Sequence, residues 1–392
     1  MGATRDGIRA WRGPAVLTYG FRPFFLLAAT WAALAVPVWV ASFTLGDGTI
    51  GGTDGRLWHT HEMLFGYGAG VIAGFLLTAV PNWTGRLPVS GWPLAGLVGL
   101  WLAGRVAGFL PAAAGLFAIV ADVAFLVVFA ALIWREILAA KNRRNLPVAA
   151  MVSVLACANI AFHASAQWPE AAPHAERAAV AVITALIALI GGRIIPSFTQ
   201  NWVLPRGLAR PTPFGLFDKA ALVVTVAALV LWAVAPQASA TGFALVAAGV
   251  LSLVRLARWR GWQTWPESMV WILHLGFVWL PVGFLLLGAS ALAPAAVPFT
   301  AGVHALTAGG IGVMTLAVMT RASRGHTGRP RAADVATTAI YVLAVLAAAV
   351  RVAAPFLPDL TPALLGISAA LWVLAFGGFA AVYGPMLVRK SL

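Results

Sequence analysis

Apolar runs of about 20 residues, the length a helix needs to cross the hydrocarbon core, recur along this chain from end to end. Bounded by glycine, proline and charge, they predict twelve spans: 23–43, 59–80, 89–109, 114–136, 147–167, 175–195, 216–235, 240–258, 268–289, 298–319, 334–354 and 364–388. With no water to satisfy backbone polar groups, such runs are helical. A hydrophobic fraction of 61%, a charged fraction of 10% and a mean hydropathy of +0.90 exclude a water-wetted globular surface. The expected fold is an all-α polytopic integral membrane protein. It forms one membrane domain over residues 1–392, with an interfacial N-terminal segment at 1–22 and a bundle over 23–388. The basic start, MGATRDGIRAWRG, has no A-x-A-type cleavage site before the first span and reads as retained.

The formal net charge of +14 is topological, because the arginines are expected in short loops between spans; no nucleic-acid partner is implied. Arg5, Arg9 and Arg12 precede the first span. Arg86, then Lys141, Arg143 and Arg144, then Arg206 and Arg210, Arg258 and Arg260, and Arg321 to Arg331 fill the even-numbered loops; Arg389 and Lys390 close the chain. The odd loops carry Asp47, Asp54, Glu170 and Asp359. The positive-inside rule then places both termini in the cytoplasm. A single cysteine, Cys157, excludes an internal disulfide, C-x-x-C-H haem attachment and cysteine-held iron–sulfur clusters. Helices 2, 6 and 10 end in AVPNWTGR (79–86), IIPSFTQNW (194–202) and AVMTRASRG (317–325). Three four-helix repeats would place these alike, and shared loop composition would produce the same likeness.

This orientation gives the histidines a depth. His59 and His61 open helix 2 from the outer side in LWHTHEMLFG (57–66), His304 enters with helix 10, His163 ends helix 5, and His174 falls in the loop after it. His274 lies towards the inner end of helix 9, and His326 in the loop after helix 10. A lone membrane histidine is usually a hydrogen-bond partner, but several at one depth suit a metal or haem site between facing helices. His59, His61, His163 and His304 are the preferred ligands, with His274 next. At about 100° per residue His59 and His61 point to opposite faces, so a regular helix cannot offer both to one metal. Gly66 and Gly70 continue the His59 stripe, either as a close helix contact or as a flat wall for a porphyrin. Asn159 precedes His163 by one turn and could orient its ring. Glu62 is the acid next to the histidines in sequence and a candidate proton donor. The basic motifs around Arg22, Arg193 and Arg321 suit anionic lipid headgroups, or the carboxylates of a cofactor or a quinone-type ligand.

GFRPFFLLAA, WHTHEMLFGYGAGVIAGFLLTAVPNWTG, GGRIIPSFTQNW and GVHALTAGGIGVMTLAVMTRASRGHTGR closely resemble the NnrS family, from about residue 18 to the C-terminus. The resemblance implies a bacterial inner-membrane protein of twelve spans that contains haem (haem b) and copper. It also implies that the family's histidine positions are present at His59, His61, His163, His274, His304 and His326. The process implied is the nitric oxide response, in denitrification and nitrosative-stress resistance. The corresponding expectation is a haem-dependent oxidoreductase acting on nitric oxide, with quinol as a candidate electron donor and the bilayer as surroundings. The rivals are a secondary transporter and a non-catalytic nitric oxide sensor or metal-handling protein. Against transport, the loop after helix 2 reads PNWTGRLP and lacks the basic G-x-x-x-D-R-x-G-R-R pattern.

Overall fold

The computed structural model describes residues 11–110, 115–165 and 167–391; Arg5 and Arg9 of the N-terminal segment lie outside them. Among the described residues, twelve helices of 16 or more residues follow the predicted order. They are α1 (Phe21–Leu45), α2 (Gly55–Thr84), α3 (Trp92–Ala107), α4 (Gly115–Ala139), α5 (Leu146–Ala164) and α6 (Ala171–Val203), then α7 (Leu216–Val234), α8 (Ser239–Arg258), α9 (Ser268–Leu292), α10 (Phe299–His326), α11 (Val335–Ala353) and α12 (Thr361–Val388). Eleven are long and apolar enough to span a bilayer; α3, at 16 residues, is shorter. The protein is a polytopic all-α membrane protein.

Local chemistry sets the helix ends. Between α1 and α2 a two-stranded hairpin, β1 (Thr49–Ile50) and β2 (Thr53–Asp54), turns through Gly51 and Gly52. Both glycines have positive φ, 60° and 77°, as a tight hairpin of this hand requires. Asp54 then caps α2 by accepting from the Leu57 backbone N–H at 3.0 Å. Asp334 does the same for α11, at the Thr337 N–H and 2.8 Å. The α6 helix runs past the predicted 175–195 at both ends, placing His174 within its first turns instead of in a loop. Pro196 lies inside α6 without ending it, since a membrane helix can re-satisfy the freed carbonyl locally.

Both α2 and α10 change winding just after the histidines near their N-terminal ends. Glu62–Gly68 and Ala305–Val313 are π-helical, a wider turn that shifts every later side chain around the axis and is frequent at functional sites. The chain packs as two compact units. The first comprises Met1–Ala179, Ala322–Pro330 and Phe376–Leu392, and within it α1 packs on α2, α2 on α4, α3 on α4 and α4 on α5. The second comprises Val180–Arg321 and Arg331–Ala375, where α8 joins α7 to α9 and α10 lies between α9 and α11.

Burial is arranged for lipid. Phe117 (73% exposed), Val223 (68%) and Phe243 (65%) face outwards, whereas Glu62 (0%), Arg255 (1%), Asp122 (3%) and Arg105 (4%) are inside. Charges so placed are costly and must be paired. Arg105 and Arg255 lie within helices α3 and α8, not in loops, which corrects the expectation that loops hold the arginines. In the second unit Arg255 reaches Asp218, which also pairs with Arg258. In the first unit the pairing builds a larger cluster.

Candidate metal centre

Four helices of the first unit each send polar side chains to one buried point: His61 and Glu62 from α2, Arg105 from α3, Asp122 from α4, and Asn159 and His163 from α5. His61 is the last residue before the π-helical turn, and Glu62 is the first within it. Close approach of α3 depends on two glycines. A Cβ at Gly66 would lie 2.2 Å from Arg105 Nη1, and one at Gly104 would lie 2.6 Å from Asp122 Oδ1. Gly66→Ala is therefore expected to push Arg105 off its partners and cost about 1–3 kcal/mol, the range for an overpacked interior. Thermal unfolding in detergent measures it; an unchanged midpoint would mean that Arg105 has room to spare.

Asp122 Oδ2 accepts from three directions: His61 Nε2 at 3.0 Å, His163 Nε2 at 2.9 Å and Asn159 Nδ2 at 2.8 Å. Its Oδ1 accepts from Arg105 Nη2. Arg105 Nη1 donates to Glu62 Oε2 at 2.6 Å, and Glu62 Oε1 lies 2.9 Å from His61 Nδ1. His61 Nε2 also lies 3.1 Å from the Asn159 amide oxygen. Phe65 and Phe162 stand 5.3 and 5.2 Å from the His61 ring and wall the cluster with apolar surface. Among the described residues, one nitrogen of His61, one of His163 and one oxygen of Asp122 lie within 4.8 Å of one another. Nitrogen and carboxylate ligands reach a transition metal at about 2.0–2.2 Å, so small ring rotations bring all three onto one ion.

The donor set fits a metal in two further respects. Ligating histidines characteristically donate their other ring N–H to a carboxylate, which fixes tautomer and orientation. His61 has that arrangement, with Nδ1 on Glu62 and Nε2 turned to the shared point. Charge agrees as well: two carboxylates face one guanidinium, leaving one negative charge that a protonated His61 balances and that a bound cation would balance in its place.

The structure thus brings together His61, His163, Asn159 and Glu62 of the residues picked out by sequence, and adds Asp122 and Arg105. Both oxygens of Glu62 are engaged, by His61 and Arg105, so it is placed to orient a ring instead of to donate a proton. His59 is apart from the cluster, its ring stacked 4.2 Å from Trp39. In the second unit, His304 Nδ1 donates to the Thr300 carbonyl at 2.7 Å. There too, His274 Nε2 lies 2.8 Å from the hydroxyl of Thr199, which itself donates to the Ile195 carbonyl, so His274 is the donor. Gly66 and Gly70 do not form a flat wall: Arg105 fills the space over one, and Trp101 and Ala28 that over the other. Below His304, Trp279 and Trp372 likewise fill the space over Gly309 and Gly312. The planar slot expected for a porphyrin on the Gly66 and Gly70 face is taken up by side chains, and the face below His304 is filled in the same way. Arg22 belongs to the first unit and Arg321 to the second, where it lies 3.9 Å from the centre of the Phe198 ring; Arg193 is half-buried in α6 of that unit.

A family model described as NnrS protein matches residues 15–391. The chain belongs to the NnrS family. Membership makes it a membrane protein of the nitric oxide response, from a family associated with metal binding. No curated protein matches it. Within this NnrS chain, the His61–Asp122–His163 cluster is where the described residues could hold an ion.

Proposed function

We propose that this NnrS-family protein binds a redox-active first-row transition metal, copper in the first instance, through His61, Asp122 and His163, and that nitric oxide is what it acts on. One observation carries the reading: two imidazole nitrogens and one carboxylate oxygen converge at a single point, and Glu62 already holds the His61 ring in ligand orientation. Imidazole with carboxylate suits copper, iron or zinc, and nitric oxide chemistry favours the redox-active pair. The metal, when bound, would supply the electron-exchanging centre. The chain's own residues hold it and keep it dry: Glu62 orients His61, Asn159 steers Asp122, Arg105 offsets the carboxylates, and Phe65 and Phe162 exclude water.

Nitric oxide is small, neutral and lipid-soluble, so it reaches such a point through the bilayer without a polar channel. Its reduction balances as two nitric oxide and one quinol giving one nitrous oxide, one water and one quinone, with electrons and protons both drawn from quinol. The basic-loop pattern supports cytoplasmic termini in a bacterial inner membrane, an orientation in which the cluster would lie towards the periplasmic leaflet. Haem is not part of this reading, because the glycine face expected to receive it is filled.

Elemental analysis and optical spectra of the purified protein, with nitric oxide consumption under reduced quinol, form the test. Wild type should carry about one copper or iron per chain, and His163→Ala, which removes a ligand, should bind it more than about 100-fold less tightly. A metal-replete preparation with neither element, or His163→Ala that retains the wild-type amount, would overturn the assignment. Metal without turnover would keep the site and make the protein a sensor.

A further inference from the structure

A second polar cluster in the first unit is cationic and has no counter-charge among the described residues. It gathers three separated stretches: the start of α1, the Ala322–Pro330 segment, and the end of α12. Arg22 joins two of them. Its Nη1 donates to the carbonyls of Met386, Leu387 and Arg389 at 3.2, 2.9 and 2.6 Å, and its Nη2 donates to the Ser391 hydroxyl at 2.8 Å. The third stretch closes in through aromatic contact, with the His326 ring 5.4 Å from Phe21 and 5.9 Å from Tyr19. Gly328, at φ 81°, then turns the chain back so that the Arg329 N–H reaches the Arg324 carbonyl at 2.9 Å. Only glycine takes that backbone conformation without strain. The turn brings the Arg329 guanidinium within electrostatic range of Arg22.

The carbonyls at the end of α12 answer part of this charge, since a helix C-terminus is electronegative. They leave a remainder. Arg22 Nε and Arg329 Nη1 are buried and have no hydrogen-bond partner, although Arg22 is only 2% exposed; the Ser323 hydroxyl on the same capping segment is also unpartnered. Among the described residues neither arginine has an acidic partner. Two like charges drawn partly out of water cost free energy unless an anion joins them. Exposed Arg389 and Lys390 lie on the last of these stretches and add to the positive field.

We infer that Arg22 and Arg329 bind a phosphate oxyanion at this end of the first unit. The planar fork of arginine matches phosphate oxygens. Because the cluster stands where three apolar helices end, the phosphodiester of an anionic phospholipid is at the right depth, and free phosphate shares its chemistry.

The test uses the intact protein in detergent. Lipid-derived phosphorus and native mass spectra report what stays bound, and thermal unfolding is followed with phosphatidylglycerol, phosphatidylcholine or inorganic phosphate added. Arg329 is the residue to change, because its Nη1 has no hydrogen-bond partner within the fold; the circular dichroism of the variant checks that it folds. Arg329→Gln should weaken binding about tenfold, the loss of one charge-assisted hydrogen bond, and Arg329→Lys less. Stabilisation by phosphatidylglycerol alone identifies a headgroup site, whereas stabilisation by inorganic phosphate too identifies an oxyanion site indifferent to lipid. No phosphorus retained and no shift with either, or Arg329→Gln equal to wild type, would overturn the inference.

Discussion

Asp122→Asn is expected to remove the metal and destabilise the protein in the same step. The carboxylate is the point on which the cluster closes, with one oxygen accepting from His61, His163 and Asn159 and the other from Arg105. An amide of the same shape carries no charge, and its NH2 group faces donors wherever it is turned. Arg105 then keeps Glu62 as its only acidic partner. Removing one member of a buried ion pair costs about 3–5 kcal/mol, because the other charge stays buried without compensation. Losing even the hydrogen-bond partner of a ligand lowers metal affinity 10–100-fold, so losing a ligand should exceed about 100-fold. Metal content and the unfolding midpoint, measured on the same preparation, read out both effects. Wild-type metal content in the variant would remove Asp122 from the ligand set, and wild-type stability would remove it from the charge balance.

That Asp122 enters only with the structure has a physical cause. Asp122 and Arg105 lie inside the apolar runs 114–136 and 89–109, where their neighbours announce a lipid-facing helix. A hydropathy window averages one charge away, although a charge inside a span is the stronger signal of function. The spans themselves were legible because the bilayer sets helix length. The helix ends were less so: Pro196 reads as a stop signal, yet α6 runs on to Val203. The π-helical winding of Glu62–Gly68 left no mark in the hydropathy pattern, so a regular 100° wheel misassigns the residues beyond it. The wheel did separate His59 from His61, since both precede the change of winding. Which of the two has acidic company depends on α4 and α5, and that is a tertiary fact.

Arg105 gives the second large effect, and the chelator-treated protein is the place to look for it. Arg105 donates to both Glu62 and Asp122, so Arg105→Met leaves two carboxylates facing each other in the membrane interior. With metal removed, only protonation of His61 or His163 can stand in for the guanidinium, and the loss should approach the about 3–5 kcal/mol of a broken buried pair. Adding Glu62→Gln takes away one negative charge, and its amide oxygen can still accept from His61 Nδ1. The double variant should recover most of the stability that Arg105→Met loses, a coupling that a double-mutant cycle measures directly. Metal affinity should not recover with it, because a neutral amide orients and polarises the His61 ring less than a carboxylate does. Stability and metal binding would then separate, as they must if Arg105 balances charge while Glu62 sets the ligand. If the two were to return together, the cluster would be a packing unit whose charges have no separate roles, and the ion-centred account would lose its basis.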